Sequence, residues 1–354
     1  MYILTESLMT NNDSITLRKH YLDNLRGFTI LLLFPFHIFR IYDMWDDKFY
    51  IYGAELLIPS IFNSILSFWM MPLLFTVAGI SSRYALEKRN ASEYTKERVS
   101  KLLLPLICGL LLVVPIQPYL AGLYRNGQAN YFDSFTKLTD LSGYDGAFAI
   151  AHLWFILFLF IISIVCLPFM IWFKKKGKAT LGDKVPLILI ILMGLFPCIG
   201  SLFDIGGKSP TENLAYFILG YLFLSNDNLL EKLEKNRFLL LGLFFLFSGF
   251  TIFIIDGELR QMASWLSILA ILGLGRCYLN FRGKITSYLS KSSFGVYIFH
   301  QSWIVITAFF IFKITENLLM QILLIFILSI ILTYATYEIC RRVIFLKLMF
   351  GLKK

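Results

Sequence analysis

The chain has 354 residues, of which 57% are hydrophobic and only 16% charged, with 35 phenylalanines and a net charge of +10. A soluble domain carries about 25% charged residues, so a single water-soluble globule is excluded and an all-α, polytopic membrane bundle is expected. The basic excess could suggest nucleic acid, but its distribution over the loops excludes that partner and makes the lipid bilayer one.

Residues 1–21 lack an apolar signal core and a small-residue cleavage pattern, and read as a cytoplasmic N-terminal tail. About ten spans follow, at about 22–44, 56–80, 102–120, 150–173, 185–203, 211–225, 238–255, 261–279, 293–312 and 317–340. Each is long enough, or nearly so, for a hydrocarbon core of roughly 30 Å. The sixth, TENLAYFILGYLFLS, is short and half polar. Residues 341–354 form a basic cytoplasmic C-terminal tail, and 22–340 are one transmembrane domain.

Loop charge sets the orientation. With the N-terminus inside, 25 of the 33 Lys and Arg residues fall on inner segments. The outer loops hold Lys48, Arg125, Lys137, Lys208, Arg260 and Lys313. This positive-inside bias places both termini in the cytoplasm. Dropping the sixth span would put the basic C-terminus outside, so ten spans are kept. The inner stretch 81–101 is charged and helix-favouring, and reads as an interfacial helix or a solvated loop; 226–237 reads the same way. The outer loop 121–149 is rich in Gly, Tyr, Asn and Asp and long enough to cover a site.

The first span, LDNLRGFTILLLFPFHIFRIYDM, carries Arg26, His37 and Arg40. Ionisable groups inside a span are costly and mark function by default. Arg26 and His37 are 11 residues apart, three turns plus roughly 20°, and so share one face about 16 Å apart along the axis. Arg26 lies one turn inside the cytoplasmic face. Its planar donor fork suits an anionic ligand, and the duller reading is a salt bridge to Asp23 or Glu338. His37 lies in the outer part of the span, where a neutral imidazole can act as a general base for a hydroxyl. Arg40 either serves the site or snorkels to the surface.

Two further histidines fall in spans. His152, in AHLWF, opens the fourth span and is either functional or an interfacial anchor; it meets His37 if spans one and four pack together. His300, in FGVYIFHQSW, is either functional or a partner for a neighbouring helix. The fourth, His20, sits in the tail and is given no role. The five cysteines have no metal-ligand spacing and read as packing residues, so neither a metal nor a disulfide framework is expected. No phosphate loop, nucleophile elbow or HExxH motif is present.

Several segments, taken together and in order, point to one family. YLDNLRGFTILLLFPFHIFRIY resembles the start of the membrane acyltransferase 3 family, whose first span carries an Arg and a His separated by ten residues. FWMMPLLFTVAGISSRYAL resembles that family's Met-Pro-Leu-Phe-Phe then Ser-Gly pattern, with Ala78 in place of the Ser before Gly79. KERVSKLLLPL, AHLWF and SSFGVYIFHQ are similar to later landmarks, so the resemblance covers about 20–340. It lies nearest the branch of glucan succinyltransferases. Many members of the wider family carry an extra extracytoplasmic domain, which this chain is expected to lack.

The resemblance implies acyl transfer (acetyl or succinyl) from cytoplasmic acyl-coenzyme A, a substrate rather than a resident cofactor, to a hydroxyl of a cell-envelope carbohydrate. It places the protein in the inner or plasma membrane. His37 would be the general base or a transient acyl carrier, and Arg26 would position the donor. His152, Glu338, His300 and Arg40 rank second. The competing class is a transporter or flippase of an envelope saccharide, against which stands the scarcity of mid-span carboxylates.

Overall fold

The computed structural model describes residues 19–45, 49–139, 141–176, 181, 185–204, 207–253 and 260–352. The expected tail over 1–18 lies outside them, as do Lys48 and the last two residues. Among the described residues the only strand-like pairing is a single bridge between Asp43 and Leu56. The helices are α1 (His20–Arg40), α2 (Leu57–Lys88), α3 (Ala91–Arg98), α4 (Leu104–Leu112), α5 (Ile116–Asn126) and α6 (Asp133–Thr136). They continue as α7 (Trp154–Val165), α8 (Leu167–Lys175), α9 (Leu187–Leu192), α10 (Leu195–Gly200), α11 (Pro210–Leu222) and α12 (Asp227–Lys235). The last are α13 (Arg237–Phe253), α14 (Arg260–Tyr278), α15 (Lys284–Ile311), α16 (Leu318–Arg342) and α17 (Ile344–Met349).

Each expected span falls on helix. Among the described residues, five helical runs are long and apolar enough to cross a membrane unaided, or up to seven if two bent pairs each count as one span. The bent pairs are 151–175, broken by 43°, and 227–253, broken by 72°. The stretch 187–200 is a shorter apolar helix, and α11 has only 13 residues. Several helices outrun their apolar windows. α2 continues to Lys88, and α3 follows at once under a capping box in which Asn90 accepts from Glu93 N and Glu93 accepts from Asn90 N. The stretch 81–101 is therefore helix, not open loop, and its end winds into a π-helical turn over Val99–Leu103. α12 is amphipathic: Leu229, Leu230 and Leu233 are fully buried, while Asp227 and Glu234 pair with Arg276 on α14.

α15 is the central strut. Of its most apolar stretch 78% is buried, against 17% for α16. It packs on α1, α5 and α16. On α16 the i, i+4 series Leu319, Leu323, Ile327 and Ile331 is exposed, a stripe that bilayer lipid covers.

The tightest crossing joins α2 to α11. A Cβ on Gly79 would strike the Phe217 carbonyl, and one on Gly220 would strike the carbonyl of Thr76. Small residues let helix backbones approach where lipid gives no hydrophobic drive to association. Gly79→Val will force the backbones apart and destabilise the protein by about 1–3 kcal/mol. A thermal unfolding curve in detergent reads this as a lower midpoint; an unchanged midpoint would contradict the close crossing.

Candidate active site

Three imidazoles from three helical segments meet in the interior. His37 projects from the last turn of α1, two residues after Pro35, whose missing N–H removes one backbone bond from that turn. His300 stands mid-way along α15 and is fully buried. His152 sits in the 3-10 turn that opens α7, next to Ala151, whose φ of +51° is costly for a residue with a Cβ. The His37 and His300 rings are 5.2 Å apart, and those of His300 and His152 are 5.1 Å apart. The expected meeting of His37 with His152 thus runs through His300, a span that the sequence reading gave no part in that vestibule.

The hydrogen bonds fix the tautomers. His300 Nδ1 lies 2.8 Å from the Tyr297 carbonyl on its own helix, and His152 Nε2 lies 3.0 Å from the Ile298 carbonyl across the interface. A carbonyl only accepts, so both nitrogens carry the proton. In the neutral rings this leaves lone pairs on His300 Nε2 and His152 Nδ1, and both atoms are buried without a hydrogen-bond partner. The Tyr297 hydroxyl donates to the His152 carbonyl and ties α15 to the 3-10 turn. His37 differs: its Nδ1 is sealed and unbonded, yet the residue is only partly buried. Its Nε2 is the nitrogen left open to a reacting group.

A second polar group flanks His300. Gln301 donates to Gln117 Oε1 at 2.9 Å, Gln117 to Ser302 Oγ at 2.7 Å, and Ser302 to the Val113 carbonyl at 2.8 Å. This chain pins the start of α5 to α15. A helical period alone does not distinguish Gln117 and Gln301 from surface amides, so the sequence reading missed them.

One side of His37 is covered by residues 49–51. The Phe49 ring stacks on His37 with centroids 6.0 Å apart, and Phe49, Tyr50 and Ile51 are almost fully buried. α5 and the loop that follows it hold this plug: Arg125 Nη2 donates to the Phe49 carbonyl at 2.7 Å, Tyr50 to the Ser142 carbonyl at 2.9 Å, and Tyr124 to the Tyr52 carbonyl at 2.5 Å. The stretch 121–149, expected to cover a site, thus bonds Phe49 and Tyr50 beside His37. Beside it lies a cleft of about 290 Å³ lined by Tyr124, Phe309, Phe312 and Lys313.

The remaining candidates stand in separate groups. Arg26 lies 3.4 Å from Asp23 and donates to Ser81 on α2 at 3.2 Å, with about a third of its side chain exposed. Of the two acids considered for it, Asp23 is the one in place. Arg40 turns to Asp43 at 3.8 Å, which also accepts from Asn63 at 3.2 Å. Glu338 is engaged with Arg341 at 2.7 Å, Arg342 at 3.3 Å and Tyr288 at 2.9 Å near the basic end of α16.

An all-helical chain with spans fit to cross a bilayer, and with an open imidazole backed by two sealed ones, is an integral membrane protein with the makings of a catalytic centre. Comparison with known proteins supplies the chemistry. A family model described as an acyltransferase domain matches residues 19–338, and the chain belongs to that acyltransferase 3 family. It is a membrane acyltransferase. The glucans biosynthesis protein C of Salmonella schwarzengrund is 23% identical over 94% of both chains, as are those of Salmonella paratyphi B and Salmonella heidelberg. No solved structure matches.

Removing the latch exposes the site. Arg125→Ala will free Phe49 and speed modification of His37 by diethyl pyrocarbonate several-fold, read by mass spectrometry of the His37 peptide. An unchanged rate would show that the plug does not guard His37.

Proposed function

We propose that the protein moves an acetyl or succinyl group from cytoplasmic acyl-coenzyme A to a hydroxyl of a cell-envelope carbohydrate. It does so in the inner membrane, as a bundle of ten spans with both termini inside. The observation that carries this reading is the accessible Nε2 of His37, backed by His300 and His152. In the reaction the acceptor hydroxyl loses its proton to His37 Nε2 as its oxygen attacks the thioester carbon. The C–S bond breaks, the C–O bond is complete, and the proton passes to the departing thiolate. Arg26, three turns nearer the cytoplasm, meets an anionic part of the donor. A long flexible donor arm suits the distance of about 16 Å between the two residues along α1.

Two features support a saccharide acceptor. The outer cleft offers aromatic faces at Tyr124 and Phe312 with the Lys313 ammonium beside them, surfaces suited to sugar rings and their hydroxyls. The relatives named for glucan biosynthesis point the same way.

A positioned base contributes roughly 10²–10⁴-fold to such a step. In inverted membrane vesicles given radiolabelled acetyl- or succinyl-coenzyme A, His37→Ala will lower label transfer into envelope carbohydrate by at least about 10²-fold. Arg26→Ala will act mainly on the donor KM. Equal transfer by wild type and His37→Ala at matched expression would refute the role of His37. Loss of saccharide export with no acyl transfer from either donor would move the assignment to a transporter.

A further inference from the structure

A small polar cavity of about 40 Å³ opens between the first turn of α1 and the first turns of α15. His20, Asp23, Asn24, Arg282, Ser287 and Lys291 line it. Its charge is unbalanced. Arg282 makes one long bond, to Ser287 Oγ at 3.4 Å, and both Arg282 and Lys291 are exposed. Among the described residues Lys291 has no acidic partner. The one carboxylate in the lining, Asp23, already faces Arg26 at 3.4 Å.

The cavity is built, not incidental. Asn24 is buried and donates to the Leu279 and Phe281 carbonyls at 2.7 and 2.8 Å. Those two bonds fix the loop that carries Arg282 against α1. The Asp23 carboxylate links the cavity to Arg26, so the cavity and the arginine on the donor path form one continuous cationic strip. The volume suits a small group such as a phosphate.

We propose that this cavity binds a phosphate group, and that its occupant is the 3′-phosphate of the coenzyme A donor, held by Arg282 and Lys291. The proposal rests on the reading that the donor is an acyl-coenzyme A arriving from this face. The arrangement would anchor the nucleotide end at α15 while the thioester end runs along α1 past Arg26 to His37. His20, given no role from the sequence, lies at its rim.

The test compares binding of coenzyme A and 3′-dephospho-coenzyme A to purified protein in phosphatidylcholine nanodiscs, for wild type and for Arg282→Gln/Lys291→Gln. Wild type should bind coenzyme A about tenfold more tightly than the dephospho form, and the double variant should bind both alike. A wild-type preference that survives in the variant, or no preference in wild type, overturns the phosphate site while leaving a coenzyme A donor intact. Failure of both ligands to bind wild type overturns the site and the donor reading together. A preference that vanishes when anionic phospholipid is added assigns the cavity to a lipid headgroup and also overturns the proposal. Thermal unfolding of the double variant within a few degrees of wild type separates lost binding from lost fold.

Discussion

Polar side chains in a bilayer interior must find partners inside the protein, and two of the three clustered histidines meet that demand by turning to backbone carbonyls of a single helix. His300 uses the Tyr297 carbonyl and His152 the Ile298 carbonyl, both on α15. The His152 bond joins two helical segments, and interhelical bonds of that kind are worth about 1–2 kcal/mol. The second consequence is chemical. With one nitrogen committed to a carbonyl, each ring keeps its other lone pair turned into a dry pocket. The site is therefore held rigid by the same bonds that leave it reactive.

α15 organises the rest. It runs from the small cavity at Ser287 and Lys291, past His300, to the cleft at Phe309, about 33 Å from Ser287 to Phe309. Glycines bring its partners close. A Cβ on Gly27 of α1 would touch the backbone of Ser290, and Gly295 lies under Tyr337 of α16. The small cavity, the imidazole cluster and the aromatic cleft thus share one helix.

Much of this was legible beforehand. Arg26 and His37 stand out because charge inside an apolar run has no cheap structural reason. The apolar helices follow from apolar length, whereas the stretch 81–101 reads as helix or loop and only the capping box of Asn90 and Glu93 settles it as helix. The convergence of His300 with His37 was not legible, since it depends on which helices pack, and periodicity says nothing of packing order. The same holds for Phe49, one of 35 phenylalanines, singled out only by the Arg125 bond to its carbonyl. Arg26 and His37 share a face by spacing, yet Arg26 meets α2 at Ser81 and His37 meets α15, because α1 passes between the two helices. Glu338 was chosen by depth alone, and depth does not reveal that Arg341 and Arg342, one turn on, engage it.

The central claim is that His37 and His300 act as one unit. The most direct measurement is a double-mutant cycle on the acyl-transfer rate with His37→Ala, His300→Gln and the pair, at saturating donor. Residues that work together lose their shared contribution once, so the double variant should be no slower than His37→Ala alone. Losses that multiply would show that the two imidazoles act independently, and would contradict the account.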